Sequence, residues 1–343
     1  MKKALILAAL GIALALFFYS NTKAKAETMI LGYTAGDTAS YQSLTSYHGY
    51  LNGAAFDTFA FNKKGVILGK APEQQLSFAK KKKIKTWAVI SNYNDGIEDF
   101  DGALASRIMT DKTARKTFLD GLVKLAEKHA FYGINIDFEA VNPRDRARYA
   151  SLIKDISAIL HKKNIKTMVS VPAKSADDQK DSWSWPYDYA KIGKTADVVQ
   201  IMTYDEHGIW SEPGSVAGTK WIKSSLQFAV KAIKPSKVVM GIPAYGNDWD
   251  TANQANSRFM QWNAVKSLIK QKKAKPVYDQ KTGSMTFTYQ DNNGHKHAVW
   301  FENEKTIQAK AHFTKTYHIG GVSVYALGYE SESFWKAIRA GTT

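Results

Sequence analysis

Eight short runs of β-branched and aromatic residues, separated by longer amphipathic stretches, constrain this 343-residue chain more than any other feature. They are MILGY (29–33), FDTFAFN (56–62), KTWAVIS (85–91), YGINIDF (132–138), KTMVSVP (166–172), VVQIMTY (198–204), KVVMGIP (237–243) and GGVSVYAL (320–327). Between them apolar residues recur at helical spacing, as Phe118, Leu122 and Leu125 do in 111–130 and Tyr149, Leu152, Ile153, Ile156 and Ile159 do in 145–163. Strand and helix alternating in this way over roughly 300 residues predict a (β/α)8 TIM barrel. A doubly wound open sheet is the alternative, against which stands the lack of a Gly-rich phosphate loop after the first run.

One interval breaks the rhythm. Between the seventh and eighth runs lie a helix-like piece (262–272) and the alternating segment PVYDQKTGSMTFTYQDNNGHKHAVWF, with turn signals at Gly283 and Asn293-Gly294. This predicts a small α+β insertion, about 246–302, beside the mouth of the barrel. The run Lys80–Lys83 reads as a solvated helix end.

The N-terminus is expected to stand apart from the fold. Met1-Lys2-Lys3, an apolar run and the triplet Ala24-Lys25-Ala26 form a secretion signal over 1–26 with cleavage after Ala26, leaving 27–343 as the working domain. An uncleaved anchor is the alternative, though the apolar run of about 16 residues is short for a span of about 20. The formal charge of +16 falls by four, to +12, when Lys2, Lys3, Lys23 and Lys25 leave with the signal. Such a charge favours anionic cell-wall polymers as surroundings. Nucleic acid is not expected, since no recognition motif accompanies the charge. With no cysteine, disulfides, a lipid-anchored cysteine and thiolate metal sites are excluded.

The fourth run carries the chemistry. In FYGINIDFEA, Ile134, Ile136 and Phe138 alternate with Asn135, Asp137 and Glu139, so in a closed barrel the polar set faces the interior and climbs toward the C-terminal mouth. Burying carboxylates costs several kcal/mol unless they are compensated, so such a stripe rarely serves stability. A half-exposed edge strand would also explain it, but eight strands closing leave no edge. Residues i and i+2 rise by only about 6.6 Å on one strand, so Asp137 and Glu139 sit on the same side of a substrate. A retaining glycosidase with two protein carboxylates needs them on opposite sides of the scissile bond. What fits is one general acid, Glu139, with a substrate that brings its own nucleophile, the 2-acetamido oxygen of an N-acetylated sugar. Asp137 would then orient the acetamido N–H, stabilise the oxazolinium ion, and raise the proton affinity of Glu139 by like charge.

Together with QIMTYDEHG (200–208), MGIPAYGNDW (240–249) and GGVSVYALGYE (320–330), the stripe resembles the motifs of glycoside hydrolase family 18, whose signature is D-x-x-D-x-D-x-E. The resemblance covers essentially all of 27–343, and NIDFE, YDEHG and VWFEN are most similar to the bacterial branch of spore-cortex and cell-wall N-acetylglucosaminidases. It implies Glu139 as proton donor, Asp137 as acetamido-orienting partner and Tyr204 as hydrogen-bond donor to the acetamido oxygen. Gln200, Met202 and Asp205 match floor and wall positions of that subsite, and Tyr33, Tyr245 and Tyr325 are candidate sugar contacts. For Tyr204 a plain core tyrosine is the alternative. Two departures stand out: Asn135 replaces the motif's first aspartate and cannot share a proton with Asp137, and Tyr325 stands where the family usually has tryptophan, offering a smaller stacking face.

Aromatic residues cluster near predicted strand ends: Tyr33, Trp87, Trp183, Trp185, Trp210, Trp249 and Trp300. Trp210 and Trp249 follow matched motifs and are expected in the cleft, and Asn92 is expected to face the mouth. His295 and His297 are expected at the surface, with no acidic partner at ligand spacing, so neither a metal nor a cofactor is predicted. A metal-dependent sugar deacetylase lacks its Asp and His cluster here. The sequence therefore points to a secreted, monomeric glycosidase for peptidoglycan or chitin oligomers, with a non-catalytic glycan-binding protein as the alternative.

Overall fold

Residues 27–343 are described by a computed structural model; the leader expected at 1–26 lies outside the described residues. Eight strands run parallel, each bonded to the next: β1 (Met29–Thr34), β2 (Gly53–Phe61), β3 (Lys85–Ser91), β4 (Gly133–Asp137), β5 (Lys166–Pro172), β6 (Val198–Met202), β7 (Val238–Pro243) and β8 (Gly321–Tyr325). β8 pairs back onto β1, with Met29 opposite Gly321, so the sheet closes into the expected barrel. β2 begins three residues before the run read from the sequence. Gly53-Ala54-Ala55 carries no β-branched signal and becomes strand through pairing with β1 and β3.

Side-chain alternation divides the chain between two apolar layers. Ile30, Phe56, Ala88, Ile134, Ile136, Phe138 and Val169 face the helices, while Leu31, Tyr33, Ala55, Trp87, Val89 and Met168 fill the barrel interior. The helix Lys112–Lys128 illustrates the outer layer. Asp111 caps it by accepting from the N–H groups of Thr113 and Ala114, and Ala114, Phe118, Leu122 and Ala126 form its buried face. Its Phe118 ring lies 4.9 Å from that of Phe61 and 5.9 Å from that of Phe138, tying the helix to the outward side of β2 and β4.

At the bottom of the barrel Trp87 is fully buried, and its in-register neighbour on β4 is Gly133. A Cβ at Gly133 would stand 2.3 Å from the Trp87 ring and 2.8 Å from the Lys166 carbonyl oxygen, so the floor packs only with glycine there. Gly133→Ala is expected to cost about 1–3 kcal/mol of stability by overpacking. Urea unfolding would measure this as a lower midpoint at unchanged slope.

Between β7 and β8 a five-stranded antiparallel sheet forms from 245–250, 258–261, 277–279, 284–290 and 296–301, with the helix Trp262–Lys272 against it. Met260, Val265, Leu268, Phe287, Val299 and Phe301 make its core. The first two strands carried no readable signal: YGNDWD is strand because it lies between two others. Lys80–Lys83 end the helix Glu73–Lys81 in solvent, as expected. No helix among the described residues is long and apolar enough to cross a membrane.

Candidate active site

A cavity of about 1570 Å³ is walled by residues at the C-terminal ends of the strands, the loops that follow them, and the insertion. β4 delivers Asp137 and Glu139 into it; β1 contributes Tyr33, β5 Ser170, β6 Met202 with Tyr204 and Asp205 just beyond, and β8 Tyr325. This position is where a TIM barrel carries its chemistry. A second hollow, about 420 Å³ between helices, offers little by comparison, because its Arg115 and Lys116 are already paired with Asp155 and Asp120.

Glu139 is held by its backbone. Its N–H donates to Asn92 Oδ1 and its carbonyl accepts from Asn92 Nδ2, both at 2.8 Å. Asn92 also donates to the Asp101 carbonyl, so it is buried beneath the rim and fixes the end of β4 instead of facing the mouth. The next residue, Ala140, has φ +51°, and Asp205 past β6 has φ +64°. Non-glycine residues in this region cost about 1–3 kcal/mol each and persist where the surroundings over-determine them. Burial is the main cause that raises the Glu139 carboxyl well above the usual range, followed by the charges of Asp137, Asp205 and Asp57. Asp137 is raised as well, by burial first and by the charge of Asp57 second, and its Oδ1 is buried with no hydrogen-bond partner among the described residues.

Below them Asn135 is fully buried and belongs to a bridge across the barrel. Tyr33 Oη donates to Asn135 Oδ1 at 2.7 Å, and Asn135 Nδ2 donates to Ser170 Oγ at 3.0 Å. Asn135 does not wall the cavity; it sets the floor through Tyr33. Gln200 is also buried below, donating to Ser323 Oγ at 3.1 Å.

Tyr204 lines the cavity because Gly241 on β7 leaves room for it: a Cβ there would stand 2.6 Å from the Tyr204 ring. Its ring lies 6.1 Å from Tyr325 and 6.3 Å from Tyr245, and burial holds its phenol protonated. Tyr245 Oη donates to Asp205 Oδ1 at 2.6 Å, joining the first strand of the insertion to the end of β6. Trp210 and Trp183 stand at the rim, 69% and 49% exposed, which leaves their faces open to a ligand.

Trp249 is a correction. It is 1% exposed, and its indole N–H donates to the Gly208 and Ser211 carbonyls, so it fastens the loop behind Trp210 and does not reach the cleft. Strand pairing inside the insertion turns this ring inward. Trp87 lies in the floor, and Trp185 packs under the Arg146 guanidinium at 4.0 Å. Of the two histidines, His295 is partly exposed at the surface, as expected, and His297 is a second correction. His297 is buried with Nδ1 2.8 Å from Asp248 Oδ1, and His295 Nδ1 lies 2.8 Å from Asp250 Oδ2. Both acids come from the adjacent strand, which sequence spacing does not reveal. No group of three ligating side chains that could hold a metal occurs among the described residues.

The sequence reading missed Asp57 on β2, which also walls the cavity, and Ser170. Each is a single polar residue at an inward position of a largely apolar run, which carries no pattern of its own.

The chain belongs to the glycosyl hydrolases family 18, whose model matches residues 23–330. It is a glycosidase by class. It is 68% identical over all 343 residues to an uncharacterized glycosylase, YvbX, of Bacillus subtilis, covering the whole of both chains. It is 30% identical to the cortical fragment-lytic enzyme of Bacillus anthracis over 253 residues, which is 73% of this chain and 58% of that enzyme. Among solved structures, the chitinase from Chromobacterium violaceum superposes with a TM-score of 0.88 at 36% identity, covering 92% of this chain and 99% of that one.

Proposed function

We propose that this protein is a secreted retaining glycosidase that cleaves β-1,4 bonds beside N-acetylglucosamine, in peptidoglycan or chitin-type glycans, with the substrate's own acetamido oxygen as nucleophile. The observation that carries the reading is Asp137 Oδ1, a buried acceptor without a donor at the end of β4, with the Glu139 carboxyl, whose proton affinity burial raises, two residues further on in the same cavity. An acetamido N–H is a donor of the right kind for it. Once bound, the carboxylate turns the acetamido oxygen toward the anomeric carbon and opposes the positive charge that develops on the ring it forms. Glu139 gives its proton to the leaving oxygen and takes one back from water in the second step. Tyr204, a phenol on the facing wall, supports a role in steering the acetamido oxygen. Tyr325 supplies the face under the sugar, and Trp183 and Trp210 extend the surface for further sugars.

The bacterial relatives named for cortical fragments support a wall glycan as substrate, and the chitinase likeness supports a chitin-type one. Both supply N-acetylglucosamine at the cleaved position. The charge of +12 without the leader supports residence among anionic wall polymers, acting as a monomer. Mass spectrometry of products from purified peptidoglycan and from chitin oligomers tests the reading. The expected outcome is products with a new reducing-end N-acetylglucosamine. Reducing-end muramic acid sinks the bond assignment, and binding of every N-acetylated glycan without turnover establishes the non-catalytic alternative.

A further inference from the structure

Seven carboxylates and one lysine wall the cavity: Asp57, Asp95, Asp99, Asp101, Asp137, Glu139 and Asp205 against Lys63. The site is thus an acidic pocket in a strongly basic protein, and its deep acids cannot all ionise at once. Family membership accounts for the pair on β4 but gives Asp57 no task.

The backbone aims Asp57 into the pocket. On β2, Ala55 lies opposite the inward Tyr33 of β1, and Asp57 is the next inward position toward the mouth. Its partner on β3 is Val89, whose partner on β4 is Asn135, so only an apolar side chain separates Asp57 from the polar stripe. The register of β2 shifts between Asp57 and Phe59, a bulge that inserts Thr58. Phe56 before the bulge and Phe59 and Phe61 after it all face the helices, so the bulge keeps the apolar face continuous while Asp57 points the other way.

We propose that Asp57 is a positioning residue for the reaction's protons: it shares the deep end of the cavity with Asp137, and its charge keeps Glu139 protonated in the neutral range, a task the neutral Asn135 cannot perform. The proposal rests on Glu139 being the acid. The titratable groups that line the cavity with Asp57 are Tyr33 from β1, Lys63 from the segment after β2, Tyr93, Asp95, Asp99 and Asp101 from the segment after β3, Asp137 and Glu139 from the end of β4, Tyr204 and Asp205 from the end of β6, Tyr245 from the insertion and Tyr325 from β8, and Tyr329 beyond β8 also feels its charge. The inward residues of β3 and β5 here, Val89, Ser91 and Ser170, do not titrate. Burial pushes the Asp57 carboxyl up to about 6, so it gains its charge as neutral pH is approached, and that charge is felt at both Asp137 and Glu139. Removing it lowers the proton affinity of both.

The test is carbon-detected titration of the side-chain carboxyls in wild type and in Asp57→Asn, with Asp57→Ser as a second variant should the first fail to fold. The midpoint of Glu139 is expected to fall by about one pH unit, as for loss of one nearby like charge. With an aryl chitobioside as substrate, the alkaline limb of kcat/KM should move to lower pH by the same amount, and Asp57→Glu should restore it. Unmoved midpoints of Glu139 and Asp137 overturn the proposal, as does a change in KM alone, which would make Asp57 a sugar contact. The titration needs no turnover, so an error in taking Glu139 as the acid is detected separately, by an active Glu139→Gln protein.

Discussion

Glu139→Gln is expected to lower kcat on chitin oligomers by about 10²–10⁴-fold, with KM little changed, because the amide keeps the shape of the acid but has no proton to give. The same substitution is expected to stabilise the fold at neutral pH by about 0.5–2 kcal/mol. The sign follows from the direction of the shift. The folded Glu139 holds its proton more tightly than the unfolded one does, so wild-type stability declines as pH rises from the unfolded value, about 4.3, toward the raised folded value. Glutamine does not titrate. The gain in Tm should therefore be absent near pH 4 and reach its full size only above the folded value, and calorimetry at several pH values measures it. Undiminished release of reducing ends by the variant removes Glu139 from the acid's role.

Asp137→Asn is expected to cost about 10²–10³-fold in kcat, the size seen when one preorganised electrostatic contact to the transition state is lost. Asparagine still offers an oxygen to an acetamido N–H, so binding of N-acetylglucosamine oligomers should weaken far less than turnover. On the proposed route the loss is specifically of negative charge facing a developing cation. A second consequence distinguishes this variant from a misfolded one: Asp137 is among the charges that raise Glu139, so the alkaline limb of the pH profile should move to lower pH. A variant that loses binding and turnover equally, with an unmoved profile, contradicts this assignment.

Periodicity made the barrel legible, since closing a parallel sheet requires alternating strands and helices, and each strand reports its two faces every second residue. The same parity placed Asp137 and Glu139 in the cavity. It reached its limit where position along the strand, and not face, decides the outcome. Asn135 and Gln200 point inward as expected, but they are fully buried and do not wall the cavity, spent on Tyr33, Ser170 and Ser323. Trp210 and Trp249 follow similar motifs, yet one lies in an open loop and the other on a strand of a second sheet, a difference set by pairing between distant segments. Asp57 escaped because a single carboxylate in an apolar run carries no pattern of its own, and the bulge at Thr58 leaves no mark in composition.

Only Ala244 separates β7 from the first strand of the insertion, and it is bonded both ways, its N–H to the Tyr325 carbonyl and its carbonyl to the Trp262 N–H. One residue further on, Tyr245 grips Asp205 and its ring lies 4.6 Å from that of Phe259. The insertion is therefore not a cassette that could be exchanged between barrels to alter ligand preference. A graft that joined the two sheets even slightly out of step would release Asp205 and the Tyr204 wall together, so an exchange that spares the site is one made in the insertion's outer strands and loops, away from that seam.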